Sequence, residues 1–126
     1  GVALQSLRIA NVASCETVVV YGPGPIGNLA MQIARTKGAA AIMVGRGHRL
    51  EIAKKSGADY VVNYEACDPV EEGRKITNGR GADVAIEAAG TQASVHNAIK
   101  SVKKNGRVSL IALTKEKDIY EFCNSN

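Results

Sequence analysis

The chain of 126 residues is long enough for about one domain, and its 45% hydrophobic and 22% charged residues are ordinary for a soluble α/β domain. With no Trp and a single Phe, its core must be built from Val, Ile, Leu and Ala, which suits a parallel sheet covered by helices on both faces. The net charge of +4 comes with no long basic run and no aromatics interleaved among basic residues, against a nucleic-acid partner; no stretch is apolar enough to span a membrane; and residues 1–12 lack the basic segment and apolar block of a secretory leader.

Residues 1–12 read as a helix, with Val2, Leu4, Leu7, Ile9 and Val12 in a partial apolar stripe, and residues 13–16 read as a turn. The next stretch carries the functional reading. Thr17, Val18, Val19 and Val20 form a short apolar run typical of a strand. Gly22, Gly24 and Gly27 follow in G-x-G-x-x-G spacing, and Ile26, Leu29, Ala30, Ile33 and Ala34 recur at helical intervals up to Lys37. Strand, glycine turn and helix in that order predict a dinucleotide-binding turn. Gly22 lets the chain turn off the strand, Gly24 lets a pyrophosphate approach the backbone, and Gly27 lets helix and strand pack closely. Pro25 suits the first helical position, where its missing N–H has no partner to lose. The helix start then offers free N–H groups and a positive dipole end to phosphates.

Gly38 stops this helix. Residues 41–44 are a second apolar run, 49–56 a short helix stopped by Gly57, and 60–62 a third strand. Asp68 fits an N-cap, Pro69 the first helical position and Glu71 the third position of a capping box, starting a helix that runs to Thr77. Asn78-Gly79-Arg80-Gly81 breaks the chain. Residues 83–87 form a fourth strand ending at Ala88-Ala89-Gly90, Thr91 caps a helix through 103, Asn105-Gly106 turns the chain, and 107–113 form a fifth strand. Such alternation predicts an α/β, Rossmann-type doubly wound parallel sheet with right-handed crossovers and helices on both faces. It spans residues 1–114; the polar tail, 115–126, loses the pattern, and 118–122 read either as a strand stub or as disordered or non-native tail.

Cys15, Cys67 and Cys123 are far apart, odd in number and without a CxxC pair, which points to a reducing, cytoplasmic setting. With only His48 and His96 besides, there is no zinc-ligand spacing, so neither a metal-binding nor a catalytic residue is expected. His96 is expected to be structural or exposed.

A dinucleotide fold of this kind places an acid about 20 residues past the glycines to hold the adenosine ribose. Here no acid occurs between Gly22 and Glu51, and the second strand ends in Gly45-Arg46-Gly47-His48-Arg49. A carboxylate would repel a ribose 2′-phosphate, whereas Arg46 can hold it bidentately, with His48 and Arg49 assisting. The pattern favours NADP. The alternative is NAD held through backbone contacts, with Arg46 a solvated loop residue and His48 an exposed helix start.

Gly22-Pro23-Gly24-Pro25-Ile26-Gly27, Ala30 to Ala39, Arg49 to Asp59, Gly79 to Gly90 and Asn105-Gly106-Arg107-Val108 together resemble the cofactor domain of medium-chain, zinc-containing alcohol dehydrogenases, nearest the sorbitol and threonine dehydrogenase group. The likeness covers about residues 2–114; Asn28, where Leu is usual, departs from it. It implies that residues Gly22 to Gly27 hold the pyrophosphate and that Gly45 and Arg46 discriminate the 2′-phosphate. It places Ala88, Ala89 and Gly90 beside the riboses, and Ile111, Ala112 and Leu113 near the nicotinamide carboxamide. It also implies a preceding catalytic domain that holds zinc and acts on a small alcohol, polyol or carbonyl, and a sixth strand beyond the fifth. The chain is therefore expected to be a partial cofactor domain that binds the dinucleotide without turnover. An open fifth-strand edge then invites homo-oligomer pairing. Two competing readings are a non-catalytic dinucleotide-binding or sensor module and a nucleotide-sugar or SAM-binding domain; the match at the fourth and fifth strands argues against the latter.

Overall fold

The computed structural model of the protein describes residues 12–111; the helix expected over 1–12 falls, but for Val12, outside them, as does the tail. Within this range β1 (Thr17–Tyr21), α1 (Pro25–Thr36), β2 (Ala40–Gly45), α2 (His48–Lys55), β3 (Tyr60–Asn63), α3 (Pro69–Ile76), β4 (Ala82–Glu87), α4 (Gln92–Ser101) and β5 (Val102–Leu110) follow one another. Every strand pairing is parallel, in the order β3-β2-β1-β4-β5. The chain leaves central β1 towards β2 and later returns on its other side as β4. The crevice beyond the carboxyl end of β1 is thus the switch point at which such sheets bind ligands.

The period-two alternation of the strands decides which helix covers which face. Val18, Val20, Ala41, Met43, Val84 and Ile86 face α1 and α2, packing with Ala30, Met31, Ala34, Leu50 and Ala53. Val19, Tyr21, Ile42, Val44 and Ala85 face α3 and α4, packing with Ile76 and Ala98. Val18, Val19 and Val20 are all within 1% of complete burial, and each such side chain contributes about 2 kcal/mol of hydrophobic stabilisation. Small alanines on the helices let them approach the sheet closely.

The junction of the last helix and strand departs from expectation. α4 ends at Ser101, not 103, where Ser101 Oγ donates to Asn97 O (2.7 Å) and the Tyr21 and Ser101 hydroxyls hydrogen-bond. Lys103 is drawn out of helical course to Asp83, 2.7 Å from its Oδ1. Asn105-Gly106 does not precede β5 but lies inside it: the register passes from Ala82↔Val102 to Val84↔Arg107, and Asn105 takes φ +67° in this irregularity. β5 closes at Leu110 instead of 113. No helix among the described residues is long and apolar enough to cross a membrane.

Candidate cofactor-binding site

Hydrogen bonds to both neighbouring strands fix the chain where it leaves β1. Gly22 N donates to Val44 O of β2 (3.0 Å), and Ala88 N, just past β4, donates to Tyr21 O (2.7 Å). Tyr21 itself is anchored from below; burial pushes its phenol above the ordinary 10.0, against the opposing hydrogen bond with Ser101.

The three glycines answer to different neighbours. Gly22 has φ +111°, and a Cβ there would stand 2.8 Å from Ala88 C and Ala89 N. A Cβ on Gly27 would stand 1.9 Å from Gly22 O, so α1 can seat on the turn only without a side chain. Gly24 has an ordinary φ of −73°, and the nearest atom to a Cβ there is Arg49 Nη1 at 3.7 Å. Nothing in the protein demands glycine at 24. The space is open, as close approach of a pyrophosphate requires.

Pro25 opens α1, and no side chain caps that helix; nor does any cap α2, whose N-cap is Gly47. The other two helices are capped. Asp68 Oδ1 accepts from Val70 N (2.9 Å) on α3, and Thr91 Oγ1 accepts from Ser94 N (3.0 Å) on α4. α1, which starts at the switch point, and α2 beside it therefore present N–H groups without a side-chain cap and positive dipole ends. Arg49, in the first turn of α2, adds a guanidinium beside Gly24.

The remaining expected residues fall into two sets. Ala88 and Ala89 stand against Gly22, and Gly90 follows them before α4 begins. Arg46 lies at the rim, largely exposed, its Nη1 3.4 Å from Glu65 Oε2. His48 Nδ1 is turned back along α2 to Glu51 Oε2 at 2.9 Å. Gly45 is buried beneath the rim, where a Cβ would strike Pro23 Cγ at 2.4 Å, so its glycine is explained by packing. Ile111 follows β5, its N–H donating to Glu87 O (2.8 Å) and its side chain fully in the core; Ala112 and Leu113 lie outside the described residues. His96 is exposed on α4. Asn28 Nδ2 donates to Ser56 Oγ (3.3 Å), tying α1 to the end of α2, while its buried Oδ1 has no hydrogen-bond partner among the described residues. Among those residues no three of His, Cys, Asp and Glu gather to hold a metal.

Glu87 was not expected in the site. It is 1% exposed at the end of β4, and its Oε1 accepts from Ala89 N (2.7 Å), Gly90 N (2.9 Å) and Ser94 Oγ (2.7 Å). The available signal was an acid closing an apolar strand, separated by Ala88-Ala89-Gly90 from a Thr-x-x-Ser cap.

A family model for zinc-binding dehydrogenases matches residues 25–125. An alcohol dehydrogenase of Cupriavidus necator is 45% identical over 106 residues, 82% of this chain but 29% of that protein. Sorbitol dehydrogenase of Bacillus subtilis is 39% identical over the same length, 82% of this chain and 30% of that protein. An alcohol dehydrogenase structure from Thermus sp. ATN1 superposes with a TM-score of 0.86 at 33% identity, over 90% of this chain and 34% of that one. The chain thus spans about a third of the length of the proteins it matches.

Proposed function

This chain belongs to the zinc-binding dehydrogenase family as its dinucleotide-binding part, and we propose that it binds NADP within an oxidoreductase acting on a small alcohol, polyol or carbonyl compound. The bound nicotinamide would supply hydride chemistry, and zinc held by residues elsewhere in the longer protein would polarise the substrate oxygen. The observation that carries the reading is Gly24: an open glycine that the protein's own packing does not require, at an uncapped helix start, with Arg49 beside it. Gly22, Pro23, Gly24, Pro25, Ile26 and Gly27 hold the pyrophosphate. Ala88, Ala89 and Gly90 border the riboses, and Ile111, Ala112 and Leu113 the carboxamide.

Arg46 and the chain at Gly45 receive the 2′-phosphate, with His48 at the same rim. The Arg46–Glu65 pair does not prevent this. Both side chains are more than half exposed, and such pairs contribute at most about 1 kcal/mol. A bidentate guanidinium–phosphate contact is worth about 1.5–3 kcal/mol, so the phosphate displaces Glu65. The protein works in a reducing, cytoplasmic setting, in keeping with free Cys15 and Cys67, and copies pair through a sheet edge. Parallel titrations with NADPH and NADH test the reading. NADPH is expected to bind about tenfold tighter, with the preference reversed in Arg46→Asp. Equal or NADH-favouring affinity in the unmutated protein overturns the NADP assignment, and a strictly monomeric mass in the same dilute samples removes the edge pairing.

A further inference from the structure

We infer that Glu87 is a positioning residue that orients the wall opposite the glycine turn for a ribose, an inference that rests on the dinucleotide reading. Its neighbour across the sheet is Tyr21, the last residue before Gly22. Ala85 and Ile86 fill the same strand with apolar side chains, so packing alone does not call for a carboxylate here. A buried carboxylate is costly unless its oxygens are matched by donors. Those donors are Ala89 N, Gly90 N and Ser94 Oγ, all on one oxygen.

Trans peptide geometry gives this arrangement a consequence. An N–H and the carbonyl of the same peptide plane point in opposite directions. Drawing the N–H groups of Ala89 and Gly90 inward to Glu87 turns the carbonyls of Ala88 and Ala89 the other way. The Ala88–Ala89 peptide lies across the glycine turn, its C and N atoms 2.8 Å and Ala88 O 3.0 Å from where a Gly22 Cβ would stand. Gly90, at φ +81°, lets the chain complete this reversal before α4 starts. Glu87 thereby aims carbonyl acceptors at the crevice, where the ligand group they suit is a hydroxyl donor, the diol of the nicotinamide-side ribose. Ser94 closes the network by capping α4 through Thr91 while donating to Glu87.

The test compares NADPH with adenosine 2′,5′-bisphosphate, which lacks that second ribose. Glu87→Ala is expected to weaken NADPH about tenfold and the bisphosphate by under about twofold, and Glu87→Gln, which keeps an acceptor, to recover NADPH to within about threefold. Amide exchange at Ala89 and Gly90 should quicken in Glu87→Ala while that of Val18 to Val20 is unchanged. Equal weakening of both probes, or none, overturns the inference. If Glu87→Ala does not fold, Ser94→Ala carries the test: it should weaken NADPH about threefold and leave the bisphosphate unchanged, and any other pattern overturns the inference. An unmutated chain that binds neither NADPH nor NADH removes the dinucleotide reading itself, a result distinct from tight NADPH binding that is indifferent to Glu87.

Discussion

Gly24 and Gly27 stand one helical turn apart and are glycine for opposite reasons. A methyl group on Gly27 would meet Gly22 O at 1.9 Å, a collision of backbone with Cβ that no rotamer relieves. Gly27→Ala is therefore expected to cost about 2 kcal/mol or more of folding stability, read from denaturant unfolding. On Gly24 the same methyl meets only the far end of Arg49 at 3.7 Å, at an ordinary φ. Gly24→Ala should leave unfolding within about 0.5 kcal/mol of the unmutated protein while weakening NADPH at least about tenfold. A Gly24→Ala protein that binds NADPH normally would show that the open space is not where the pyrophosphate lies. Residues of this kind are legible in sequence because their spacing is local. Glu87 is not, since its three donors converge only once Gly90 takes its positive φ and Thr91 and Ser94 form their cap. The Arg46–Glu65 pair is equally hidden, because the ends of β2 and β3 bring together residues from separate parts of the chain.

At the scale of elements, β4 carries a carboxylate at each end of the sheet, and the two do different work. Glu87 lies buried at the carboxyl end, behind the Ala88 to Gly90 wall, whereas Asp83 sits at the opposite, amino-terminal edge. There Asp83 accepts from Thr17 N (2.7 Å) and pairs with Lys103 (2.7 Å) and Arg80 (3.3 Å). Burial raises its carboxyl, but Lys103, the Thr17 N–H and Arg80 outweigh that and hold it below the ordinary 3.8. The Arg107 guanidinium likewise holds Glu16, against burial, below the ordinary 4.5. Groups depressed in the folded state favour it when ionised. Their contribution is complete above the unfolded values and is lost as pH falls through the folded ones. Unfolding free energy should hold from neutrality down to about pH 5 and decline below about pH 4. Asp83→Asn should cost about 2 kcal/mol at neutral pH, with the deficit shrinking in acid as the unmutated carboxyl takes up its proton. A deficit that is the same at every pH would mean that the Asp83 charge is not what holds this edge. The same network explains why the start of β5 was misread. Val102 to Asn105 have no apolar periodicity; the pairing of Val102 with Ala82 and the Lys103–Asp83 ion pair hold them in strand.

For the whole molecule, the consequential fact is that the glycine turn joins two parts of one sheet. β1, β2 and β3 with α1 and α2 supply the glycine turn and the Arg46 rim; β4 and β5 with α4 supply the Ala88 to Gly90 wall. They meet along the pairing of β1 with β4 and at the bond from Ala88 N to Tyr21 O. The alternating apolar runs were enough to predict this architecture. The face each helix covers, and the wall's exact course, depend on side-chain direction and register, which become fixed only on folding. A ligand lying across the switch point contacts both parts in the folded state and neither in the unfolded chain, so it must stabilise the whole domain. NADPH at about one hundred times its dissociation constant adds about 2.7 kcal/mol. For a domain of this size that raises the thermal midpoint by roughly 10 °C. If Arg46 receives the 2′-phosphate as proposed, NADH at the same concentration should raise it less, and Gly24→Ala should abolish most of the NADPH shift without moving the unliganded midpoint. A scan in which NADPH leaves the midpoint unmoved, or moves it equally in Gly24→Ala, would place the ligand somewhere other than across these two parts of the sheet.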